Sequence, residues 1–158
     1  MTPVMSDTRH SSLVTRHPST GTVLAFDFGT KRIGVAVGDF ETRLAHPLAA
    51  ISAVENRARF AEIGRLMSEW RPARLVVGLP MHADGGEHAV GRLSRRFAQR
   101  LQGRFGVPVA FVDERLTSRE AEGLLRAAGV RGARFKAGVD SLAAQRILET
   151  YFAGGELC

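Results

Sequence analysis

Three carboxylates stand where a carboxylate has to be explained. Asp27 sits inside the apolar run Val23, Leu24, Ala25, Phe26 and Phe28. An acid is depleted in strand interiors and costly to bury without a partner, and a bound cation is the obvious one. Glu114 directly follows the segment VAFVD, just beyond a strand's carboxyl end, where open α/β sheets bind ligands. Asp140 stands at the start of the last helical pattern, and taken singly it reads as a helix cap favoured by the macrodipole. Taken together, the three could converge at one sheet edge, where they would repel unless cations bridged them. Hard oxygen ligands select Mg²⁺ or Mn²⁺, and Mg²⁺ keeps waters for substrate phosphates. Two such ions about 3.5 to 4 Å apart can activate a water and stabilise the leaving oxygen of a phosphodiester. No Ser/His/Asp or Cys/His arrangement offers another chemistry.

The elements that must carry these residues follow from periodicity. Thr22 to Phe28 and Arg32 to Gly38 read as strands, joined by a short Gly29 to Lys31 link into an antiparallel hairpin. Leu44 to Ile51 supplies a third strand, which Pro47 puts at an edge or a bulge. Ser52 with Glu55 matches a capping box ahead of Phe60, Ile63, Met67 and Trp70, predicting a helix from Ala53 to Trp70 that Pro72 ends. Leu75 to Leu79 is a buried strand, followed by a loop from Pro80 to Gly86. Val90, Leu93, Phe97 and Leu101 mark a second helix closed by Gly103 or Gly106, and Val107 to Val112 is another buried strand. Thr117 with Glu120 caps a helix through Ala121, Leu124, Leu125 and Ala128, which Gly129 stops. After a basic loop, VRGARFKAG, a last helix runs from Asp140 to Phe152 and ends at Gly154 and Gly155. The expectation is an α/β fold: a mixed five-stranded sheet, a three-strand antiparallel meander plus two parallel strands, with helices on both faces.

Composition bounds the rest. The 158 residues fit one domain, from residue 21 to 155, preceded by a disordered extension over residues 1 to 20. The formal net charge of +6 favours a polyanionic partner, although Lys31 and Lys136 are the only lysines and the arginine excess is also what a GC-rich coding bias produces. The single cysteine, Cys158, cannot form an intramolecular disulfide, and fits a reducing cytoplasm. No apolar run approaches the roughly 20 residues that span a bilayer, so no membrane partner is expected.

Four segments in this order, LAFDFGTKRIGVAVGD, VVGLPMHADG, VDERLTSREAE and VDSLAAQRILETYF, resemble the YqgF family of RNase H-like nucleases, the pre-16S rRNA nucleases related to Holliday junction resolvases. The resemblance runs from about Thr22 to Phe152. It implies an RNase H-like fold, in agreement with the element order, and puts the family's acidic residues on Asp27, Glu114 and Asp140. It further implies 5′-end maturation of precursor 16S rRNA in ribosome biogenesis, with small-subunit ribosomal particles as partners. Gly38 stands where the family often has Ser, and MHADGGEHA is a looser version of the loop after VGLP.

Basic residues flank the acids: Lys31 and Arg32 after the first strand, Arg115 beside Glu114, and Arg134 and Lys136 before Asp140. Cations there can hold scissile and neighbouring phosphates, with Arg suited to bidentate contact. Arg115, held next to a metal ligand, is the one expected to act in cleavage, while Arg119 and Arg131 taken individually read as solvated surface. His82, Asp84 and His88 likewise read as a polar loop and helix start. RNA and branched DNA present phosphates to the same metals, so both stay open as substrates. Two other classes remain. DFGTKRIG resembles the phosphate-binding turn of sugar kinases and actin-like ATPases, and a catalytically silent nucleic-acid-binding module would share this fold.

Overall fold

Strand β1 (Thr22–Phe28) lies at the centre of a five-stranded sheet because its side chains are apolar towards both faces and need cover on each. In the computed structural model, which describes residues 20–52, 54–80, 89–114 and 123–157, the strand order is β3-β2-β1-β4-β5. β1 pairs antiparallel with β2 (Ile33–Asp39), which pairs antiparallel with β3 (Ala45–Ile51). On its other side β1 pairs parallel with β4 (Arg74–Leu79), and β4 parallel with β5 (Val109–Asp113). The meander and the two parallel strands are those expected. Pro47 satisfies both expectations for it: β3 is an edge strand, and its register shifts opposite Val35 and Ala36.

Helices cover both faces. α1 (Asn56–Trp70) and α2 (Ala89–Phe105) pack on Leu24, Phe26, Val35 and Val77, with Phe97 touching the rings of Phe26, Phe28 and Phe60. α3 (Gly132–Phe152) covers the opposite face, with Ala144, Ile147 and Leu148 against Val23, Ala25, Ala36 and Val76. No helix of the described residues is long and apolar enough to cross a membrane.

Three local expectations need correction. The Ser52/Glu55 capping box does not start α1; Glu55 itself is the extended N-cap residue, with no side-chain cap bond, and helical backbone begins at Asn56. The C-terminal end is as expected: Arg71 turns left-handed at φ 45° ahead of Pro72, its N–H donating to Met67 O. In α2 the buried stripe is Gly91, Ser94, Phe97, Ala98 and Leu101, whereas Val90 and Leu93 are exposed. Ser94 can occupy the core because its hydroxyl donates to Val90 O at 3.0 Å.

The largest difference is in α3. The segment read as a basic loop is helical from Gly132, so Asp140 lies two turns inside the helix and is not its cap. Two glycines in RGARFKAG argue for a loop by propensity. Tertiary packing overrides them at Gly138, where a Cβ would lie 3.0 Å from the Leu125 side chain, so a helical turn over 123–127 can press against α3. Gly129 ends that turn at φ +78°, and Gly106 ends α2 at φ +69°. The Thr117/Glu120 cap and the extension over residues 1 to 19 lie outside the described residues.

Candidate active site

The alternation of a strand puts Val23, Ala25 and Asp27 of β1 on the face that α3 covers, together with Gly34 and Ala36 of β2, Val76 and Gly78 of β4, and Ala110 and Val112 of β5. Glu114 continues that parity one residue past β5, where its N–H still donates to Leu79 O at 3.2 Å. Asp27 and Glu114 therefore project from the same end of two parallel-running strands towards one helix.

Glycine sets how close that helix comes. Gly34 is the register partner of Asp27, and a Cβ there would lie 1.9 Å from the Asp140 carbonyl oxygen. At Gly78 a Cβ would meet Ile147 Cδ1 at 2.4 Å and Glu114 Cβ at 3.1 Å. The missing side chains let α3 rest on the sheet and set Asp140 beside Asp27.

The carboxyl groups of Asp27 and Glu114 are hydrogen-bonded to each other. Burial raises the Asp27 pKa above its ordinary value; the hydrogen bond from Glu114 opposes this and the charge of Asp140 adds to it. Glu114 is pushed up to about 10, first by burial, then by the Asp27 charge and by donating its proton to Asp27, with Asp113 adding further repulsion. The pair thus keeps a proton at neutral pH that isolated carboxyl groups would have lost. Asp140 faces a different partner, Arg32, whose Nε donates to Oδ2 at 2.6 Å. Among the described residues no three Asp, Glu, His or Cys side chains are gathered closely enough to form a metal cluster. The arrangement is a protonated carboxyl pair with a third carboxylate beside it held by an arginine.

The donor types suit a divalent cation, although the three acids are not drawn together into a ready-made cluster. The donors are all hard oxygens, half-buried, and Asp27 and Glu114 repel one another when both are charged. A cation would displace the Glu114 proton and compete with Arg32 for Asp140.

Of the basic residues, Lys31 is exposed on the β1–β2 turn and Arg32 is half-buried at its end. Lys136 stands one turn before Asp140 on the same side of α3, while Arg134, six residues before, is rotated about 120° from it. Both are exposed. Arg115, Arg119, His82, Asp84 and His88 lie outside the described residues. Arg131, read as solvated surface, lines with Arg126, Val130 and Phe135 a cavity of about 380 Å³.

Two features were missed in the sequence. Arg59 of α1 is only 4% exposed and donates through Nη2 to Gly29 O at 2.8 Å and to Thr30 O, with its guanidinium over the Phe28 ring. Its signal was its register, since residues 59, 63 and 66 share one helix side and a charge there needs a reason. The glycines Gly34 and Gly78, each on the helix-covered face beside an acid, were the other.

Comparisons with known proteins identify the fold and the family. A "Putative pre-16S rRNA nuclease" of Chromobacterium violaceum is 58% identical over 130 residues, covering 82% of this chain and 95% of the relative. One of the same name from Nitrosomonas europaea is 54% identical over 134 residues, covering 85% and 90%. A solved structure described as Thermus thermophilus RuvC in complex with Holliday junction substrate matches with a TM-score of 0.51 at 18% identity, covering 87% of this chain and 99% of that one. That match shows the fold, which is RNase H-like as the motifs implied. Residues 21–154 match the family model described as RuvX, Holliday junction resolvase, and with relatives more than half identical over 82% and 85% of its length, the chain belongs to that family.

Proposed function

We propose that this chain is a divalent-metal-dependent endonuclease that hydrolyses phosphodiester bonds in structured nucleic acid, with precursor 16S rRNA as its substrate and 5′-end maturation as its task. The observation that carries the proposal is the half-buried, proton-sharing pair Asp27 and Glu114, at the same end of the two strands that flank β4, with Asp140 beside it. The names of the relatives support precursor 16S rRNA as substrate, ribosomal small-subunit particles as partners follow from the resemblance alone, and the lone cysteine supports a cytoplasmic setting. The description of the family model favours a second reading, cleavage of a four-way DNA junction.

In this reading Asp27, Glu114 and Asp140 hold Mg²⁺ or Mn²⁺. The chemistry such ions supply is activation of a water and stabilisation of the leaving oxygen. The chain's own residues do the rest. Glu114 would hold the ion as a carboxylate, its proton lost to water, and Asp140 would hold it in place of its bond to Arg32. Arg32, released, pairs with a phosphate oxygen, for which its planar fork is suited. Lys31, Arg134 and Lys136 hold flanking phosphates, and Arg115 reaches the phosphate that is cut.

The test is to incubate the purified chain with labelled precursor rRNA, a four-way DNA junction and ATP, each with and without Mg²⁺ or Mn²⁺. Metal-dependent cleavage of the rRNA near its mature end is expected. Cleavage of the junction alone would establish the second reading, and ATP hydrolysis without strand cleavage would overturn both.

A further inference from the structure

Arg59 does something that packing alone does not require: it holds two successive backbone carbonyls, those of Gly29 and Thr30, from the core side of the β1–β2 turn. In a trans peptide the N–H points opposite to the C=O. The N–H groups of Thr30 and Lys31, which share those two peptide planes, are therefore turned away from Arg59, and among the described residues neither has a backbone partner. Thr30 and Lys31 are both exposed. This shape requires a glycine at its start, because a Cβ on residue 29 would lie 2.5 Å from Arg32 O.

Two neighbouring N–H groups aimed outward from a fixed turn form an anion-binding concavity. Here a cationic side chain, Lys31, extends from the same turn, and the turn begins two residues after Asp27. We propose that the Gly29–Lys31 turn is a backbone phosphate-binding site, preorganised from behind by Arg59, that grips a phosphate of the nucleic-acid strand next to the bond being cut. The assignment to a strand phosphate rests on the nuclease reading. Arg59 is a positioning residue: it touches no substrate and acts by orienting the peptide groups that do.

The test is an amide-resolved NMR titration of the metal-free wild-type chain, in chelator, with inorganic phosphate against chloride at equal ionic strength, and then with a short RNA oligonucleotide. The Thr30 and Lys31 amides are expected to show the largest downfield shifts with both phosphate and RNA. Arg59→Met is expected to lose these shifts while the rest of the spectrum keeps its folded dispersion. In a cleavage assay it should raise KM roughly tenfold and leave kcat within about twofold, as loss of a uniform binding contact does. Phosphate or RNA binding that leaves both wild-type amides unmoved would overturn the proposal, whether or not Arg59→Met folds. Shifts with free phosphate but none with RNA would overturn the assignment to a strand. An inactive nuclease whose two amides still respond to phosphate would instead remove the nuclease reading and leave the turn as an anion site.

Discussion

Asp27 and Glu114 are the residues whose protonation the fold controls most strongly, and this makes stability depend on pH in a defined direction. Both pKa values are raised on folding, Glu114 from about 4.5 to about 10. A raised carboxyl pKa means that the native state binds more protons than the unfolded one, so stability is fully present below about pH 4.5 and is lost as pH rises towards 10. The Tm of the metal-free chain should therefore fall between pH 5 and pH 9, Glu114→Gln should flatten that fall, and saturating Mg²⁺ should flatten it in the wild type. An unchanged slope in Glu114→Gln would show that other groups set it. A second expectation concerns Arg115. If its guanidinium meets the developing charge on the phosphate, Arg115→Ala lowers the cleavage rate at saturating substrate by roughly a hundredfold with little change in Tm. A variant that melts early yet cuts normally would assign Arg115 a structural pairing instead. Asp27 stood out in the sequence because an Asp among Val, Leu and Phe contradicts its surroundings, and Glu114 because it directly follows a strand. The Arg32–Asp140 pair, 108 residues apart in the chain, was not, because nothing local selects it.

At the scale of elements, the site exists because α3 comes down onto glycines. Gly34→Ala would put a methyl group 1.9 Å from the Asp140 carbonyl, a clash between backbone and side chain that only a shift of the helix can relieve. We expect a loss of about 1 to 3 kcal/mol in denaturant unfolding, as for an overpacked core, together with weaker Mn²⁺ binding as Asp140 moves off Asp27. Gly34→Ala with unchanged stability and metal affinity would contradict this account of the approach. Periodicity revealed the strands and the start of the β2–β3 meander, because each alternates or is apolar over a full strand length. It misjudged the first two turns of α3, where Gly132 and Gly138 look like breakers until Leu125 is seen to pack on Gly138. Asp140 read as a cap for the same reason: the helix that continues before it depends on a contact distant in sequence.

Over the whole molecule, a formal charge surplus of +6 accompanies a small cluster of carboxyl groups. Acids that repel a polyanion are acceptable only if basic residues around them bring the strand in, and the exposed Lys31, Arg134 and Lys136 are available for that. Affinity for RNA should fall steeply with salt through counterion release, and replacing Arg134 and Lys136 together by Ala should reduce the log–log salt slope by about two without changing which bond is cut. A salt-independent affinity would point to base stacking in place of phosphate contacts. The central claim is that Asp27, with Glu114 and Asp140, makes a phosphodiester-cleaving centre, and Asp27→Asn tests it most directly because the amide keeps the shape and removes the charge. Cleavage of labelled precursor rRNA in Mg²⁺ should be abolished in this variant while its melting temperature stays at or above that of the metal-free wild type. Full cleavage by Asp27→Asn would contradict the account.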